Sequence, residues 1–490
     1  MKSVLIIPAA GLLAAPAAAA GVQGKVQEKP RKGTPNVIYI LADDLGYGDL
    51  GCMGQRKILT PNIDRLAAEG MLFTQHYAGS AVSAPSRSVL LTGLHTGHTP
   101  IRGNKSVVRA DCRGQQPLPE DTFTIARMFR TAGYATGIFG KWGLGYPGSE
   151  GVPAKQGFDE FFGYNCQALA HRYYPDHLWH NDERVVLDGN AGYVKGEYSA
   201  DLIHEKALEF IGGHAQRPFF LLMAYTLPHA ELAAPEDEIM RYYRGRFPEK
   251  AFTPGGGNDY GPEMLPGGYA SQQEPMATYA AMVTRLDKYV GEVMAELRRL
   301  GIDGNTVVIF SSDNGPHNEG GAAPRFFDSA GPLHGIKRDL YEGGIRVPLV
   351  VRGPEIEAGS VSDHVCAFWD MLPTFADMVG VKLPPPYGMT GFRFIRPLPG
   401  KSGSRSMNTC IGSSTNGTAR SPCAGETGKP CGAMPLRTRR APNCTICRPT
   451  STRTAIWPPS GRRWSPNWKT ACGKPMRNRL FFHFRRNGSV

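Results

Sequence analysis

Beyond its first 24 residues the sequence has no long apolar run, and no later segment approaches the roughly 18 uninterrupted apolar residues of a membrane-spanning helix. The leading segment, MKSVLIIPAAGLLAAPAAAAGVQG, has one lysine, an apolar stretch of about a dozen residues and small residues before Gly21, which is the pattern of a secretory signal peptide. No cysteine follows it directly, so a lipid anchor is not indicated. We expect a signal peptide over residues 1–20, a linker over 21–34, and an exported, periplasmic or secreted protein with no membrane partner.

Acidic residues are almost missing from residues 401–490. That segment holds 17 of the 55 lysines and arginines but a single one of the 43 acidic residues, Glu426. The first 400 residues have 38 basic and 42 acidic side chains and are slightly acidic. The net charge of +12 therefore belongs to the tail, and we expect no nucleic-acid partner.

The tail also lacks the apolar periodicity of helices and strands, although it contains six of the ten cysteines. Cys444 and Cys447 form a CxxC pair, but a zinc site needs a second pair of ligands at suitable spacing, and none is evident. If the codons for residues 406–412 are read in a shifted frame, they can encode HEYLYW. The same shift applied to the codons for residues 441–454 can encode PELYDLSTDINED. We therefore expect a non-native reading frame after about residue 405, which the nucleotide sequence would test.

Two apolar strands without polar alternation, 37–41 and 307–310, lie far apart in the sequence. Such strands suit a parallel sheet that is buried on both faces. Helical patterns, among them TPNIDRLAAEG and YAAMVTRLDKYVGEVMAELRRLG, alternate with further strands, YATGIFG and PFFLLMAYTLPH. The alternation predicts an open α/β sheet with helices on both faces. The weakly periodic residues from about 233 to 275 predict a surface insertion of the kind that shapes substrate pockets.

Polar side chains follow these strands directly, and ligand sites in open α/β sheets lie beyond the carboxyl ends of the strands. The six residues that we expect to converge there are Asp43, Asp44, Lys141, His229, Asp313 and Asn314. Carboxylate and amide oxygens suit Ca²⁺ or Mg²⁺ better than zinc. Each segment alone, DDLG or SDNG, is also typical of a turn, but their combination after parallel-type strands favours a metal site.

The segment SAPSRSVLLTG, residues 83–93, places a serine, a proline and an arginine at the start of an apolar helical pattern. Ser83 is a suitable helix N-cap, whose hydroxyl would bind only its own helix. A helix N-terminus beside the guanidinium of Arg87 also makes a site for a tetrahedral anion. The residues themselves leave both roles open, a cap or a reactive group.

These motifs together resemble the type I sulfatases of the alkaline-phosphatase superfamily, over roughly Pro35 to Gly400. SAPSRSVLLTG is similar to the family signature S/C-x-P-S-R. Further similar blocks follow the family order: DDLGYGDLGCMG, TPNIDRLAAEG, GKWGLG, SSDNGPH and LYEGGIRVPLVVRGP. The resemblance implies an alkaline-phosphatase-like catalytic domain over residues 35–380, with a large, mixed, mainly parallel sheet. It also implies a small C-terminal subdomain over 381–490, which the frame change would disrupt.

The resemblance assigns roles to individual residues. Ser83 would be oxidised to formylglycine, and a serine there implies the anaerobic-type sulfatase-maturing enzyme. The implied metal is Ca²⁺, with Mg²⁺ less favoured, and its implied ligands are Asp43, Asp44, Ser83, Asp313 and Asn314. The implied catalytic residues are Ser83, Arg87, Lys141, His229 and Lys337. Among these, Arg87 would orient the hydrated aldehyde, the other cations would hold the sulfate, and His229 would protonate the leaving alcohol.

One departure from the family pattern concerns Gly143, where many members have histidine two residues after the lysine. The role of that histidine is then either absent or supplied from elsewhere, and His171 and His317 are the candidates for it in substrate binding. For His171, simple packing among neighbouring aromatic residues is an equally good interpretation. The same aromatic cluster suits a sugar, whose apolar face stacks on rings.

The sequence thus predicts an exported sulfatase acting on a sulfated carbohydrate, such as a galactan or a host glycan. Two alternatives stay open: a phosphodiesterase or phosphonate hydrolase of the same superfamily, and a catalytically silent protein that binds sulfated glycans.

Overall fold

Strand β1, Asn36–Ala42, contains the predicted apolar strand 37–41 and runs through the middle of the main sheet. Its side chains alternate between two apolar clusters, with Ile38 and Ile40 in one and Val37 and Tyr39 in the other. Successive residues of a strand point to opposite faces, so both faces of the sheet are buried. This is why the sequence shows a continuous apolar run rather than an alternating one.

The computed structural model describes residues 34–108, 113–254, 259–261 and 267–387. The strands are β1 Asn36–Ala42, β2 Met71–Tyr77, β3 Ser106–Val108, β4 Arg113–Gln115, β5 Ala135–Lys141, β6 Glu160–Tyr164, β7 His177–His180, β8 Glu183–Val186, β9 Phe219–Ala224, β10 Thr306–Ser312, β11 Arg346–Arg352, β12 Ser360–Ser362 and β13 Cys366–Ala367. The α-helices are α1 Pro61–Ala68, α2 Ser83–Thr92, α3 Ile125–Thr131, α4 Ser199–Gly213, α5 Glu238–Tyr243, α6 Pro275–Arg299, α7 Pro324–Phe327, α8 Glu342–Ile345 and α9 Met371–Val379.

The main sheet has 11 strands in the order β12-β2-β11-β10-β1-β9-β5-β6-β7-β8, with β13 also paired to β2. The five central strands, β10 to β6 in that order, are mutually parallel. Strands β11, β7 and β8 pair with their neighbours in antiparallel fashion. The predicted mixed, mainly parallel sheet is confirmed, and the carboxyl ends of its central strands share one edge.

Helices cover both faces of this sheet, as predicted. Residues of α1, α4, α5 and α6 belong to the apolar cluster on one face. Residues of α2, α3 and α9 belong to the cluster on the other face. The predicted insertion at 233–275 contains α5, whose Met240 and Tyr243 are buried in the first cluster together with α6.

Several predictions fall outside the described residues: the signal peptide over 1–20, nearly all of the linker over 21–34, and the changed reading frame after about 405. Within the part of the chain that the structure describes, none of the helices combines the length and the apolar character needed to cross a membrane.

Candidate active site

Four oxygen-bearing side chains lie together where β1 and β10 end. The two strands are parallel and in register, with Ala42 opposite Ser312, so Asp43 and Asp313 follow at the same level. The backbone N–H of Asp44 donates to Asp313 Oδ1 at 3.1 Å, and Asn314 Nδ2 donates to Asp44 Oδ1 at 2.6 Å. All four side chains are fully buried. The structure therefore brings together the four residues that the strand ends predicted.

Ser83 is the first residue of α2, and its hydroxyl faces the carboxylates. The N-cap position belongs to Val82, and Ser83 Oγ donates to Asp43 Oδ1 at 2.9 Å. The helix-cap interpretation of Ser83 is therefore wrong. The next backbone N–H, that of Ala84, donates to Asn104 Oδ1 at 2.9 Å, so one of the free N–H groups at the helix start is satisfied by another side chain. Ser83 is left with its side chain inside the polar site and only 2% exposed.

Two cations lie beside Ser83 and Asp43. Lys141, the last residue of β5, places Nζ 2.6 Å from Asp43 Oδ2 and 3.4 Å from Ser83 Oγ. Arg87, one turn along α2, donates from Nε to Asp313 Oδ2 at 3.1 Å and from Nη1 to the backbone carbonyl of Lys141 at 3.1 Å. Burial alone would raise the pKa of Asp43, but the positive charges near it, that of Lys141 foremost, outweigh burial and hold this pKa well below its usual value.

Lys337 and His229 lie beside Asp44. Lys337 Nζ is 2.7 Å from Asp44 Oδ2, 2.9 Å from Glu319 Oε2 and 3.1 Å from His229 Nε2. Burial, followed by the charge of Lys337, lowers the pKa of His229 well below its usual value, so the ring is neutral at neutral pH. The carbonyl oxygen of Ala230 contacts Nδ1 of His229 and can only accept a hydrogen bond, so Nδ1 carries the proton of the neutral ring. Nε2 therefore accepts a hydrogen bond from Lys337 Nζ. A proton-donating role for His229 Nε2 therefore requires the protonated ring.

The two other predicted histidines flank His229. The ring of His171 stacks on that of His229 at 4.8 Å, and its Nδ1 donates to the carbonyl oxygen of Gly267 at 2.9 Å. His171 is half-buried, and burial followed by the charge of Lys141 lowers its pKa to about 4. Its Nε2 is the acceptor nitrogen in this tautomer.

His317 is fully enclosed and has both ring nitrogens engaged by the protein. Nδ1 accepts the backbone N–H of Glu319 at 3.1 Å, and Nε2 donates to the carbonyl oxygen of Pro228 at 3.1 Å. His171 thus keeps a nitrogen available for a ligand, whereas His317 supports the loops around His229. The substrate-binding roles of both residues stay predictions.

Glu319 and Tyr269 are site residues that the sequence did not predict. Glu319 accepts from Lys337 Nζ, from Tyr269 Oη at 2.9 Å and from the guanidinium of Arg338. The ring of Tyr269 lies 5.3 Å from that of His171. An isolated glutamate and tyrosine in loops carry no spacing signal, although Glu319 follows closely after the SSDNGPH block.

The oxygen-rich cluster fits a hard divalent cation. Asn314 Oδ1 is buried and has no hydrogen-bond donor among the described residues, while its Nδ2 is used by Asp44 and by the carbonyl of Gly315. Burial, followed by the charge of Asp43, raises the pKa of Asp313 to about 7, because three carboxylates crowd one enclosed site. Ligand atoms of Asp43, Asp44 and His229 also lie within 4.8 Å of one another. The amide oxygen and the three carboxylates together form a donor set that Ca²⁺ prefers.

The fold and the site together define an α/β protein with a buried serine at a helix N-terminus, an acidic metal-type cluster and several cations at the carboxyl edge of a mainly parallel sheet. The model of the family described as "Sulfatase" matches residues 35–381. The chain belongs to the sulfatase family, as its motifs predicted.

Two relatives and one solved structure illustrate the similarity. The chain is 32% identical over 368 residues to N-acetylgalactosamine-6-sulfatase of Rattus norvegicus, covering 71% of this chain and 63% of that protein. It is 30% identical over 407 residues to N-acetylgalactosamine-6-O-sulfatase of Bacteroides thetaiotaomicron, covering 68% of this chain and 71% of that protein. The crystal structure of Ps i-CgsB in complex with k-i-k-neocarrahexaose is 29% identical, with a TM-score of 0.58, over 73% of this chain and 74% of that chain. The chain thus spans less than two thirds of the length of the rat relative.

Proposed function

We propose that the protein is a sulfatase that hydrolyses a sulfate ester on a carbohydrate, with formylglycine derived from Ser83 and with bound Ca²⁺. The relatives are named as sulfatases of an amino sugar. The observation that carries the proposal is the position of Ser83 Oγ, which lies 2.9 Å from Asp43 Oδ1 and 3.4 Å from Lys141 Nζ in an enclosed site. A nucleophile in that position faces both the metal-type cluster and a cation.

The chain's own residues supply charge stabilisation and orientation. Lys141 contacts Asp43 and Lys337 contacts Asp44, so a sulfate bound beside these two carboxylates would have two cations close to its oxygens. Arg87 is fixed by Asp313 and by the backbone of β5, which allows it to hold an oxygen at position 83 in one orientation. Positive groups fixed in advance around a transferring sulfuryl group stabilise the charge that builds up on its oxygens.

Ca²⁺ bound by Asp43, Asp44, Asp313, Asn314 and position 83 would neutralise the carboxylates and polarise a sulfate oxygen. An aldehyde hydrate supplies a more acidic nucleophilic oxygen than a serine hydroxyl, which is weak without an adjacent base. We assign His229 and Lys337 to the leaving-group side, because their polar atoms lie 3.1 Å apart and the Lys337 ammonium can stabilise negative charge on a leaving oxygen bound beside them.

The test of this function is hydrolysis of an aryl sulfate and of the matching aryl phosphate after co-expression with an anaerobic-type maturing enzyme. We expect much faster release from the sulfate. Faster phosphate turnover would support a phosphodiesterase or phosphonate hydrolase instead. The intact mass of the peptide containing Ser83 should show loss of two hydrogens, with partial hydration, and an unmodified serine would support a silent glycan-binding protein.

A carbohydrate substrate fits the surroundings of His229. The ring of His171 stacks on that of His229 at 4.8 Å, and the ring of Tyr269 lies tilted at 5.3 Å from that of His171. Aromatic faces bordered by polar groups suit sugar rings. A panel of sugars sulfated at defined positions, from galactans and from host glycans, would identify the substrate.

Export of the protein is also part of the proposal, and the leading segment MKSVLIIPAAGLLAAPAAAAGVQG supports it. Fractionation of expressing bacteria and N-terminal sequencing of the mature protein would test it, with cleavage expected near Ala20. Recovery of the uncleaved chain in the cytoplasm would contradict export.

A further inference from the structure

Gly143 lies two residues after Lys141 and has a backbone φ of 72°, in the left-handed region that favours glycine. A Cβ atom at this position would lie 2.9 Å from Cγ and 3.0 Å from Nε2 of Gln167. The space that a side chain at position 143 would enter is therefore filled by the side chain of Gln167. Backbone and neighbour together require glycine here.

The amide of Gln167 is enclosed but has no partner for its donor. The residue is 6% exposed, and Nε2 makes no hydrogen bond to any of the described residues. Asn165, which is 3% exposed, leaves its buried Oδ1 without a donor in the same part of the structure. Buried polar groups without partners are rare and costly in folded proteins. Two such amides only two residues apart point to a ligand that satisfies them.

Both amides lie at the edge of the sheet that forms the active site. Strands β5 and β6 are parallel, and Lys141 pairs with Tyr164, so residues 165–167 leave the sheet beside Lys141. The N–H of Gly143 donates to the carbonyl oxygen of Asn165 at 3.2 Å. The segment then continues to His171, whose ring stacks on that of His229. Gln167 therefore lies in the stretch of chain that connects the Lys141 side of the site to the His229 side.

We propose that Gln167 is a specificity-determining residue whose side-chain amide binds a hydroxyl group of the sugar that carries the scissile sulfate. This inference rests on the proposed sulfatase function. A sulfate oxygen only accepts hydrogen bonds, and the cations of the site already serve that need. A sugar hydroxyl both donates and accepts, which matches the unused Gln167 Nε2 donor and the unused Asn165 Oδ1 acceptor. Gln167 thereby fills the space at position 143, whose missing histidine made His171 and His317 candidates for that role.

The test compares Gln167→Leu with the unaltered full chain, both matured, on a sulfated sugar and on an aryl sulfate that has no sugar hydroxyl. We expect kcat/KM for the sugar to fall at least about tenfold, with aryl sulfate hydrolysis and inhibition by inorganic sulfate changed less than about twofold. Removal of the substrate hydroxyl that Gln167 binds should lower kcat/KM of the unaltered protein by the same factor. The same deoxygenated substrate should cause no further loss in the Gln167→Leu variant. Equal losses on both substrates, or weaker sulfate inhibition, would overturn the inference.

Gln156→Leu is the matched control, because Gln156 is also a buried glutamine but donates to the carbonyl oxygens of Pro119 and Glu150 at 3.2 and 2.9 Å. We expect that variant to lower the thermal midpoint and leave the ratio of sugar to aryl activity unchanged. Gln167→Leu should have the same thermal midpoint as the unaltered protein, because no hydrogen bond of Nε2 is lost. Gln167→Met provides a second variant of similar volume. If the unaltered matured protein hydrolyses no sulfate ester, the sulfatase function itself is contradicted. If the unaltered protein is active and Gln167→Leu has the same activity on the sugar, this inference alone is contradicted.

Discussion

Glu319 Oε2 accepts a hydrogen bond from Lys337 Nζ at 2.9 Å and holds that ammonium opposite Asp44. The charge of Lys337 lowers the pKa of Glu319 to about 2, although burial alone would raise it, so the pair is fully ionised at neutral pH. We expect Glu319→Gln to reduce kcat on an aryl sulfate about tenfold, because Lys337 then has a single carboxylate to fix its position. The Michaelis constant should stay level or fall, since a negative charge near the anion site is removed.

The matched control for that change is Glu342→Gln. Glu342 also accepts from a tyrosine hydroxyl and an arginine, Tyr77 at 3.1 Å and Arg346 at 3.0 Å, but it does not contact Lys337. Its substitution should leave kcat within about twofold. In a background that already has Lys337→Ala, Glu319→Gln should have little further effect, because residues that act through one group are not additive. Full additivity of the two substitutions would contradict the positioning role.

Substitutions at Ser83 test maturation directly. Ser83→Ala should reduce aryl sulfate turnover by about 10⁴ or more, since the nucleophile is removed. The family resemblance implies that the oxygen-dependent maturing enzyme acts on cysteine, so Ser83→Cys should become active with that enzyme, whereas the unaltered serine protein should not. Peptide mass and turnover are measured on the same samples. Equal activity of Ser83→Ala would exclude position 83 as the reactive residue.

Removal of Ca²⁺ should lower both activity and stability. A ligand at about 100 times its dissociation constant contributes about 2.7 kcal/mol to stability, so chelation should lower the thermal midpoint and Ca²⁺ should restore it better than Mg²⁺. Asn314→Leu removes the buried amide oxygen that has no donor among the described residues and should weaken the response to Ca²⁺. Calorimetric scans with chelator and with each ion provide the measurement. A midpoint that is independent of divalent ions would count against the metal site.

Phe129 joins α3 to the sheet and to the last described helix. Its ring is fully buried, stacks on that of Phe220 at 4.4 Å and contacts that of Phe375 at 5.5 Å. Phe129→Ala should therefore lower the free energy of unfolding by about 3–5 kcal/mol. Val194→Ala, at a side chain that is 59% exposed, should change it by less than about 0.5 kcal/mol. Denaturant titration of both variants checks the contrast.

His76 makes stability depend on pH. Burial lowers the pKa of this ring from 6.5 to about 3 in the folded protein. Above pH 6.5 both folded and unfolded forms are neutral at this position, and below it only the unfolded form takes up a proton, so stability is lost as the pH falls. Between pH 6.5 and pH 5 the loss from this ring should be about 2 kcal/mol. Denaturant titration across this pH range gives the free energy of unfolding of the unaltered protein and of His76→Asn, and the difference between the two isolates the contribution of this ring. Parallel pH profiles of the two proteins would contradict it.

The sequence alone determined the chemistry of the strand ends. Asp43 and Asp313 come shortly after the apolar strands 37–41 and 307–310, and Lys141 ends a third strand. Parallel strands in one sheet end at one edge, so local patterns were sufficient to predict that these side chains meet. The order of the motifs likewise predicted the family. The sheet and its two covered faces followed from the alternation of strands and helices.

Tertiary structure decided the residues that come from loops. The hydroxyl of Ser83 faces Asp43 rather than capping its helix, while Asn104, from a later part of the chain, accepts from the N–H of Ala84. Glu319 and Gln167 joined the site without any signal in spacing or periodicity. Loop side chains are positioned by packing against distant segments, and such contacts leave no periodic trace in the sequence. The sequence thus determined which strand ends carry the reactive groups, and the fold decided which loop residues surround them.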